Sequence, residues 1–441
     1  MNGPIRRLAY ASFVAIGLLA LATTFIQGVR ADALRTDPAN PRVVLSQAGK
    51  ERGAILGADG TVLAVSEIVE GTDRRFARSY PFGSTTAWPV GYTTALFGAA
   101  GIEESWSNEL RSRQDLTISD LLTAVFGGDL RPRSLGLSID PALQAVADEA
   151  LGDREGAVVA LDPATGAILA WVSHPAYDPQ QFVDDPVYAR SITESEDQPL
   201  LDRGGRVLAP PASTFKLVVT AAALESGEWA PDSLLPDPAV LPLPGSTAEM
   251  RNPDGEPCTA GSVVTITEAL VRSCNIPFAE LAIELGSDPV VAMSRALGWE
   301  ERPDLDLPVS ASEFPDPGRD LAVLAQSAIG ERDVRATTLQ MASLAATVAN
   351  DGIVVRPYLV QTVFDADGGV DDETEPVIGE PAFSQTTARA LTEMMVQQLL
   401  MITRPYWKRS NRIDGSLSTC LKNIARVHVL DLPSLWVSCL Y

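Results

Sequence analysis

The sequence predicts an α+β fold: one N-terminal transmembrane helix, a small β-rich domain, then a larger domain in which helices flank an antiparallel sheet. Three observations carry that expectation. Leu8 to Val29 is an apolar run interrupted only by small or hydroxyl residues and Gln27. Gly156 to Leu161 and Ala167 to Val172 are apolar strand patterns around the turn Asp162-Pro163-Ala164-Thr165-Gly166, which makes an antiparallel hairpin. Helical segments succeed one another after that hairpin.

The apolar run exceeds the roughly 20 residues that a helix needs to cross a bilayer. Arg6 and Arg7 precede it, so the positive-inside rule keeps the N-terminus cytoplasmic and exports the chain beyond Arg30. A cleaved signal peptide is the competing reading, although the run is longer than a usual signal core and no clean small-x-small site comes after it. A polar linker, Thr36 to Arg42, comes next. Arg52 to Ala64 then reads as two short strands around Asp59-Gly60, a hairpin signal. A helix is expected near Glu103 to Leu110. Asp140-Pro141, an N-cap followed by proline at the first helical position, opens an amphipathic helix to Leu151. Beyond the second hairpin, helices are expected at Thr214 to Ser226, closed by Gly227, and at Thr267 to Arg272. Others span Phe278 to Leu285, closed by Gly286, Thr337 to Ala349, and the neighbourhood of Thr387 to Gln397.

Composition narrows the function. With 57 acidic against 34 basic residues and a formal charge of −23, the chain is a poor match for nucleic acid, whose phosphates need a basic surface. Among the four cysteines, Cys258 and Cys274 flank a short helical stretch in the exported part, where oxidation is permitted. They read either as a disulfide or as two small buried side chains.

Pro210-Pro211-Ala212-Ser213-Thr214-Phe215-Lys216 opens a strongly apolar helix. The prolines fix the entry and place Ser213 in the first turn, with Lys216 one turn on and on the same face. Leu217, Val218 and Val219 surround the lysine with apolar neighbours. Desolvation lowers an amine's pKa, which lets Lys216 accept the serine proton. The bland alternative is a helix start with an exposed lysine, but Lys216 is one of only four lysines in the chain. A second element, Ser273-Cys274-Asn275, ends a helix opened by the capping box Thr265-Ile266-Thr267-Glu268. It presents a serine and an asparagine at a helix–helix junction, and on its own it reads as a pair of capping residues.

The two elements together, in this order and about sixty residues apart, resemble the first two active-site motifs of penicillin-binding proteins and serine β-lactamases. The likeness extends over most of the chain. Arg52 to Ala64, Val90-Gly91-Tyr92 and Gly101-Ile102-Glu103 look like the N-terminal non-catalytic domain of the class B enzymes, which a plain β-lactamase lacks. Gly156 to Trp171 with Ser173-His174-Pro175-Ala176-Tyr177-Asp178-Pro179 looks like the opening of the transpeptidase domain, and Leu200-Leu201-Asp202-Arg203 is similar to the stretch before the serine. The resemblance implies a peptidoglycan D,D-transpeptidase, with Ser213 as acylated nucleophile and Lys216 as its base. Ser273 and Asn275 would complete the proton path and position the peptide. It implies as partners the peptidoglycan stem peptides, penicillin and other β-lactams, the membrane through the N-terminal helix, and a membrane glycosyltransferase. It implies no metal and no organic cofactor, and no catalytic role for His174 or His428. The location implied is the cell membrane, single-pass, with the catalytic part extracytoplasmic.

One departure stands out. Relatives carry a third motif, Lys-Thr-Gly or Lys-Ser-Gly, on an edge strand that supplies an oxyanion donor, and neither triplet occurs here. The family-like pattern passes through Asn350-Asp351-Gly352 and Arg356-Pro357-Tyr358 and fades near Gln397. Two of the four lysines (Lys408, Lys422) and two of the four cysteines (Cys420, Cys439) lie after it, with Ala425 the one alanine. The expected organisation is therefore 1–29 cytoplasmic tip and anchor, 30–134 non-catalytic domain, 135–397 incomplete transpeptidase domain, and 398–441 divergent tail. A shifted reading frame or recombination explains such a tail; a genuinely divergent C-terminus is the alternative. Loss of the third strand should leave an unpaired sheet edge and weak acylation. Two other functions stay open: a non-catalytic membrane-anchored scaffold for the glycosyltransferase, and a β-lactam sensor or β-lactamase. The preserved Ser213–Lys216 pair speaks against the scaffold, and no deacylating base offers itself for a β-lactamase.

Overall fold

The computed structural model describes residues 3–28, 30, 49–69, 76–112, 131–407 and 436–440. Helix α1 (Gly3–Gly28) contains the span Arg6–Gly28, which is long and apolar enough to cross a membrane, and its described side chains are exposed apart from one half-buried residue.

The predicted hairpin forms as β1 (Ile55–Leu56) and β2 (Val62–Ile68), paired antiparallel. Gly60 turns the chain with φ 82°, and Asp59 Oδ1 accepts from the Thr61 N–H at 2.9 Å. Strand β3 (Phe76–Ser79) pairs with β2. The expected helix near Glu103 is two short ones, Ile102–Ser105 and Ser107–Leu110. Between them and the strands lies a buried ionic cluster. Glu103 is fully buried and receives Arg52 at 2.8 Å, Arg78 at 2.6 Å and the Tyr80 hydroxyl at 3.2 Å. Burial pushes its carboxyl up, but the two guanidinium groups outweigh that and hold it below the usual range.

Strand β4 (Ser134–Leu137) lies parallel to β1 and antiparallel to a much later strand. Helix α2 (Pro141–Leu151) starts as its cap predicts, with Asp140 accepting from the Ala142 and Leu143 N–H groups. Strands β5 (Gly156–Leu161) and β6 (Ile168–His174) make the second predicted hairpin. Its residues are almost wholly buried, which fits a strand covered on both faces. The serine-bearing segment is a 3₁₀ turn, Ala212–Phe215, that runs into α3 (Lys216–Glu225). Helices α4 (Ile266–Arg272) and α5 (Ile276–Leu285) meet at the Ser273-Cys274-Asn275 turn. Cys258 and Cys274 are joined by a disulfide. Helix α6 (Thr338–Ala349) packs on the second hairpin.

Strands β7 (Val360–Phe364) and β8 (Val370–Glu373) complete a six-stranded sheet in the order β8-β7-β4-β1-β2-β3. One sheet thus spans the expected boundary at residue 134, because Leu135 and Leu137 bury beside Ile55, Val360 and Val363 in a single core. The largest core lies elsewhere, around α3 and α5.

Two features near the C-terminus differ from expectation. Helix α7 (Gln385–Trp407) continues past residue 397 without a break. The β5 edge is also covered: β9 (Trp436–Leu440) lies antiparallel to it, with Trp436 opposite Leu161 and Leu440 opposite Ala157. An edge of free N–H and C=O groups pairs with any β-prone segment that reaches it, and Trp-Val-Ser-Cys-Leu is one. Among the described residues this sheet has three strands, in the order β9-β5-β6.

Candidate active site

The chain enters the site under constraint. Ala209 and Ala336 exchange backbone hydrogen bonds at 3.0 and 2.8 Å, and the Ala212 N–H donates to the Gly330 carbonyl at 2.9 Å. Ala212 has φ 48°, a conformation that alanine rarely adopts. Gly330 must be glycine, because a Cβ there would lie 1.9 Å from the Ala212 carbonyl oxygen. Phe215 is fully buried between the Phe314 ring, stacked at 5.0 Å, and the Trp299 edge at 5.7 Å. These contacts fix the turn, so Ser213 is held half-buried at the mouth while Lys216 is driven inward.

Lys216 is fully buried and its Nζ meets four oxygens. Ser213 Oγ lies at 3.1 Å, the Ser273 carbonyl at 2.8 Å, Ser273 Oγ at 3.3 Å and Asn275 Oδ1 at 2.9 Å. The Phe278 ring lies 5.7 Å away. Burial draws the amine down to about 7, and the charge on exposed Glu331 pulls weakly the other way.

The partners dictate the proton geometry. A neutral amine has two N–H donors and one lone pair. The Ser273 carbonyl and Asn275 Oδ1 only accept, so they take the two N–H groups. The lone pair is left for a hydroxyl, and Ser213 Oγ is the nearer of the two. Such an amine is arranged to remove a proton from Ser213.

The turn that supplies Ser273 and Asn275 owes its shape to α4. Thr265 caps that helix by accepting from the Glu268 N–H. Ser273 ends it in the left-handed conformation, φ 59° and ψ 41°, which swings both its carbonyl and its hydroxyl toward Lys216. Asn275 adds a bond from Nδ2 to the Arg251 carbonyl at 3.1 Å.

All four residues singled out from sequence, Ser213, Lys216, Ser273 and Asn275, meet at one amine, and the Cys258–Cys274 disulfide lies inside the Ser-x-Asn turn. Sequence reasoning missed Asn252 and Asp237, two buried polar residues behind that turn, and Glu331 beside the lysine. Asn252-Pro253-Asp254-Gly255 reads as an ordinary turn, with no local signal that its first side chain reaches Asn275.

A family model for the penicillin-binding protein transpeptidase domain matches residues 156–400, and one for the penicillin-binding protein A dimerisation domain matches residues 52–133. The chain is 38% identical over 408 residues to the peptidoglycan D,D-transpeptidase PbpA of Mycolicibacterium smegmatis, covering 90% of this chain and 82% of that one. It is 36% identical over 408 residues to PbpA of Mycobacterium tuberculosis, with the same shares covered. Its structure matches the imipenem acyl-enzyme complex of penicillin-binding protein A from M. tuberculosis with a TM-score of 0.74 at 34% identity, covering 80% of this chain and 83% of that one.

Proposed function

Because this chain belongs to the class B penicillin-binding proteins, we propose that Ser213 is the nucleophile of its peptidoglycan D,D-transpeptidase reaction and Lys216 the general base. The observation that carries the assignment is the set of four oxygens around Lys216 Nζ, which leaves the lone pair to a serine hydroxyl. The lone pair takes the Ser213 proton as Oγ attacks the penultimate D-Ala carbonyl of a stem peptide. The tetrahedral intermediate collapses and the C–N bond to the terminal D-Ala breaks. That amine leaves with a proton from Lys216, passed through the Ser273 hydroxyl. An amine of a neighbouring strand then attacks the acyl-enzyme, returns a proton to Ser213 and forms the cross-link. Asn275 holds the lysine and faces the peptide. A β-lactam enters the same first step, but its amine stays tethered after ring opening and the adduct persists.

Helix α1 would anchor the chain with the catalytic part outside the cytoplasm, the orientation that Arg6 and Arg7 favour. A membrane glycosyltransferase bound through the N-terminal domain belongs to the same proposal; the match there is to a penicillin-binding protein A dimerisation domain, a module for association.

Catalysis by these 441 residues is impaired, on this proposal, because no Lys-Thr-Gly or Lys-Ser-Gly triplet supplies the second oxyanion donor. One such donor is typically worth ~100-fold or more in rate. Intact-protein mass spectrometry with benzylpenicillin tests the assignment. The chain should gain the mass of the whole antibiotic, slowly, on the peptide that contains Ser213, and Ser213→Ala should gain none. An adduct that survives Ser213→Ala would overturn the assignment.

A further inference from the structure

An asparagine just before a helix ordinarily turns its side chain back to accept the N–H of the second or third helical residue. Asn275 occupies that position on α5 and its side chain does not do so. Its Oδ1 receives Lys216 and its Nδ2 binds the Arg251 carbonyl. The second residue of α5, Pro277, has no N–H, and two earlier N–H groups are met from elsewhere. Asn252 Oδ1 accepts from the Asn275 N–H at 2.8 Å and from the Ile276 N–H at 3.0 Å.

Asn252 is only 4% exposed, and its other end is also held. Its Nδ2 donates to Asp237 Oδ1 at 3.3 Å and to the Glu256 carbonyl at 3.2 Å. Those two acceptors fix which way the amide points, since the reverse orientation would aim its NH₂ at two N–H donors. Asp237 is 1% exposed and also accepts from the Cys258 N–H at 3.0 Å, the Thr259 N–H at 2.8 Å and the Thr259 hydroxyl at 3.1 Å. Cys258 is bonded to Cys274, the middle residue of the turn, so the circuit closes on itself.

We propose that Asn252, oriented by Asp237, is a positioning residue for the transpeptidase reaction: by binding the Asn275 and Ile276 N–H groups it fixes the backbone from which the Asn275 side chain reaches Lys216. The inference rests on the roles given above to Ser213 and Lys216. Without Asn252, two N–H groups at the start of α5 lose their acceptor, the turn shifts and Lys216 loses the Asn275 oxygen.

A double-mutant cycle on the full chain tests it, using Asn252→Ala, Asn275→Ala and the pair. Each single change should slow benzylpenicillin acylation about tenfold, the worth of one hydrogen bond at a reacting group, and the pair should be no slower than either. A purely structural role for Asn252 would make the losses multiply. The second readout does not depend on acylation. In ¹³C-lysine-labelled protein the chain's four lysines are few enough to resolve, and Lys216→Met identifies the one that matters. The Lys216 titration should move equally in both single variants and no further in the pair. Asn252→Asp keeps an acceptor for both N–H groups but faces Asp237. Its acylation rate relative to the unmodified chain should therefore rise as pH falls and the two carboxyls come to share a proton. If Asn252→Ala does not fold, Asn252→Asp alone decides. Multiplying losses, an unmoved Lys216 titration in folded Asn252→Ala, or a pH-independent Asn252→Asp ratio would each overturn the proposal. Failure of the unmodified chain to acylate would count against the acylating activity proposed above, not against Asn252, and the Lys216 titration would then decide.

Discussion

Burial draws the Lys216 amine down to about 7, which brings its free-base form within reach near neutral pH. Acylation that uses the free base should therefore rise with pH through 7 and level off about two units higher. A stopped-flow or mass-spectrometric profile between pH 5 and 9 checks this, and a flat profile would contradict it. Glu331 is the charge that favours the protonated form, so Glu331→Gln should move the inflection to lower pH. Lys216→Ala should cost about 10²–10⁴-fold in acylation. The same shift bears on stability. Between about 7 and the ordinary lysine value of 10.5 the unfolded chain binds the extra proton, so this group's contribution grows more favourable as pH rises through that window. Ser213 and Lys216 were legible in the sequence because their relation is local, a three-residue spacing in an apolar helix. Asn252 was not, since its partner lies 23 positions away and only folding brings the two together.

Among the elements, the Ser-x-Asn turn depends on tethers at both ends. The Cys258–Cys274 bridge closes a loop with a sequence separation of 16, for which loop-closure entropy gives about 3 kcal/mol. Cys258→Ser with Cys274→Ser should lower the melting temperature by several degrees, and an unchanged melt would mean that the bridge does not tether the turn. The Glu103 cluster performs the matching task between β2, β3 and the short helices. Glu103→Ala would strand two guanidinium groups, each 8% exposed by residue, without their carboxylate. The cost should be about 3–5 kcal/mol in a denaturant titration, whereas loss of an exposed pair costs well under 1. Elements with a strong pattern were placed well by sequence: α2 by its Asp-Pro cap, and β5 with β6 by their apolar runs. The six-stranded sheet was not legible as one unit. β1 has two residues and β4 has four, too few to encode which distant strands they join.

In the molecule as a whole, the family match ends at residue 400, close to where the composition changes near Gln398. Helix α7 crosses that point and β9 then covers the β5 edge, so the last described residues extend the sheet, and no Lys-Thr-Gly or Lys-Ser-Gly triplet occurs in the 441 residues. The two halves of the site therefore have different standing. On the function proposed above, the proton-transfer half is assembled around Lys216, and the oxyanion half lacks the triplet that the resemblance implies. The measurement that tests this most directly is the second-order rate of Ser213 acylation by benzylpenicillin. It should be taken beside M. tuberculosis penicillin-binding protein A and a chimera that carries that protein's own sequence after residue 400. The adduct on Ser213 should form ~100-fold or more slowly than in the relative, with most of the loss recovered in the chimera. Acylation of the unmodified chain as fast as the relative's would contradict the division of the site into an assembled half and a deficient one.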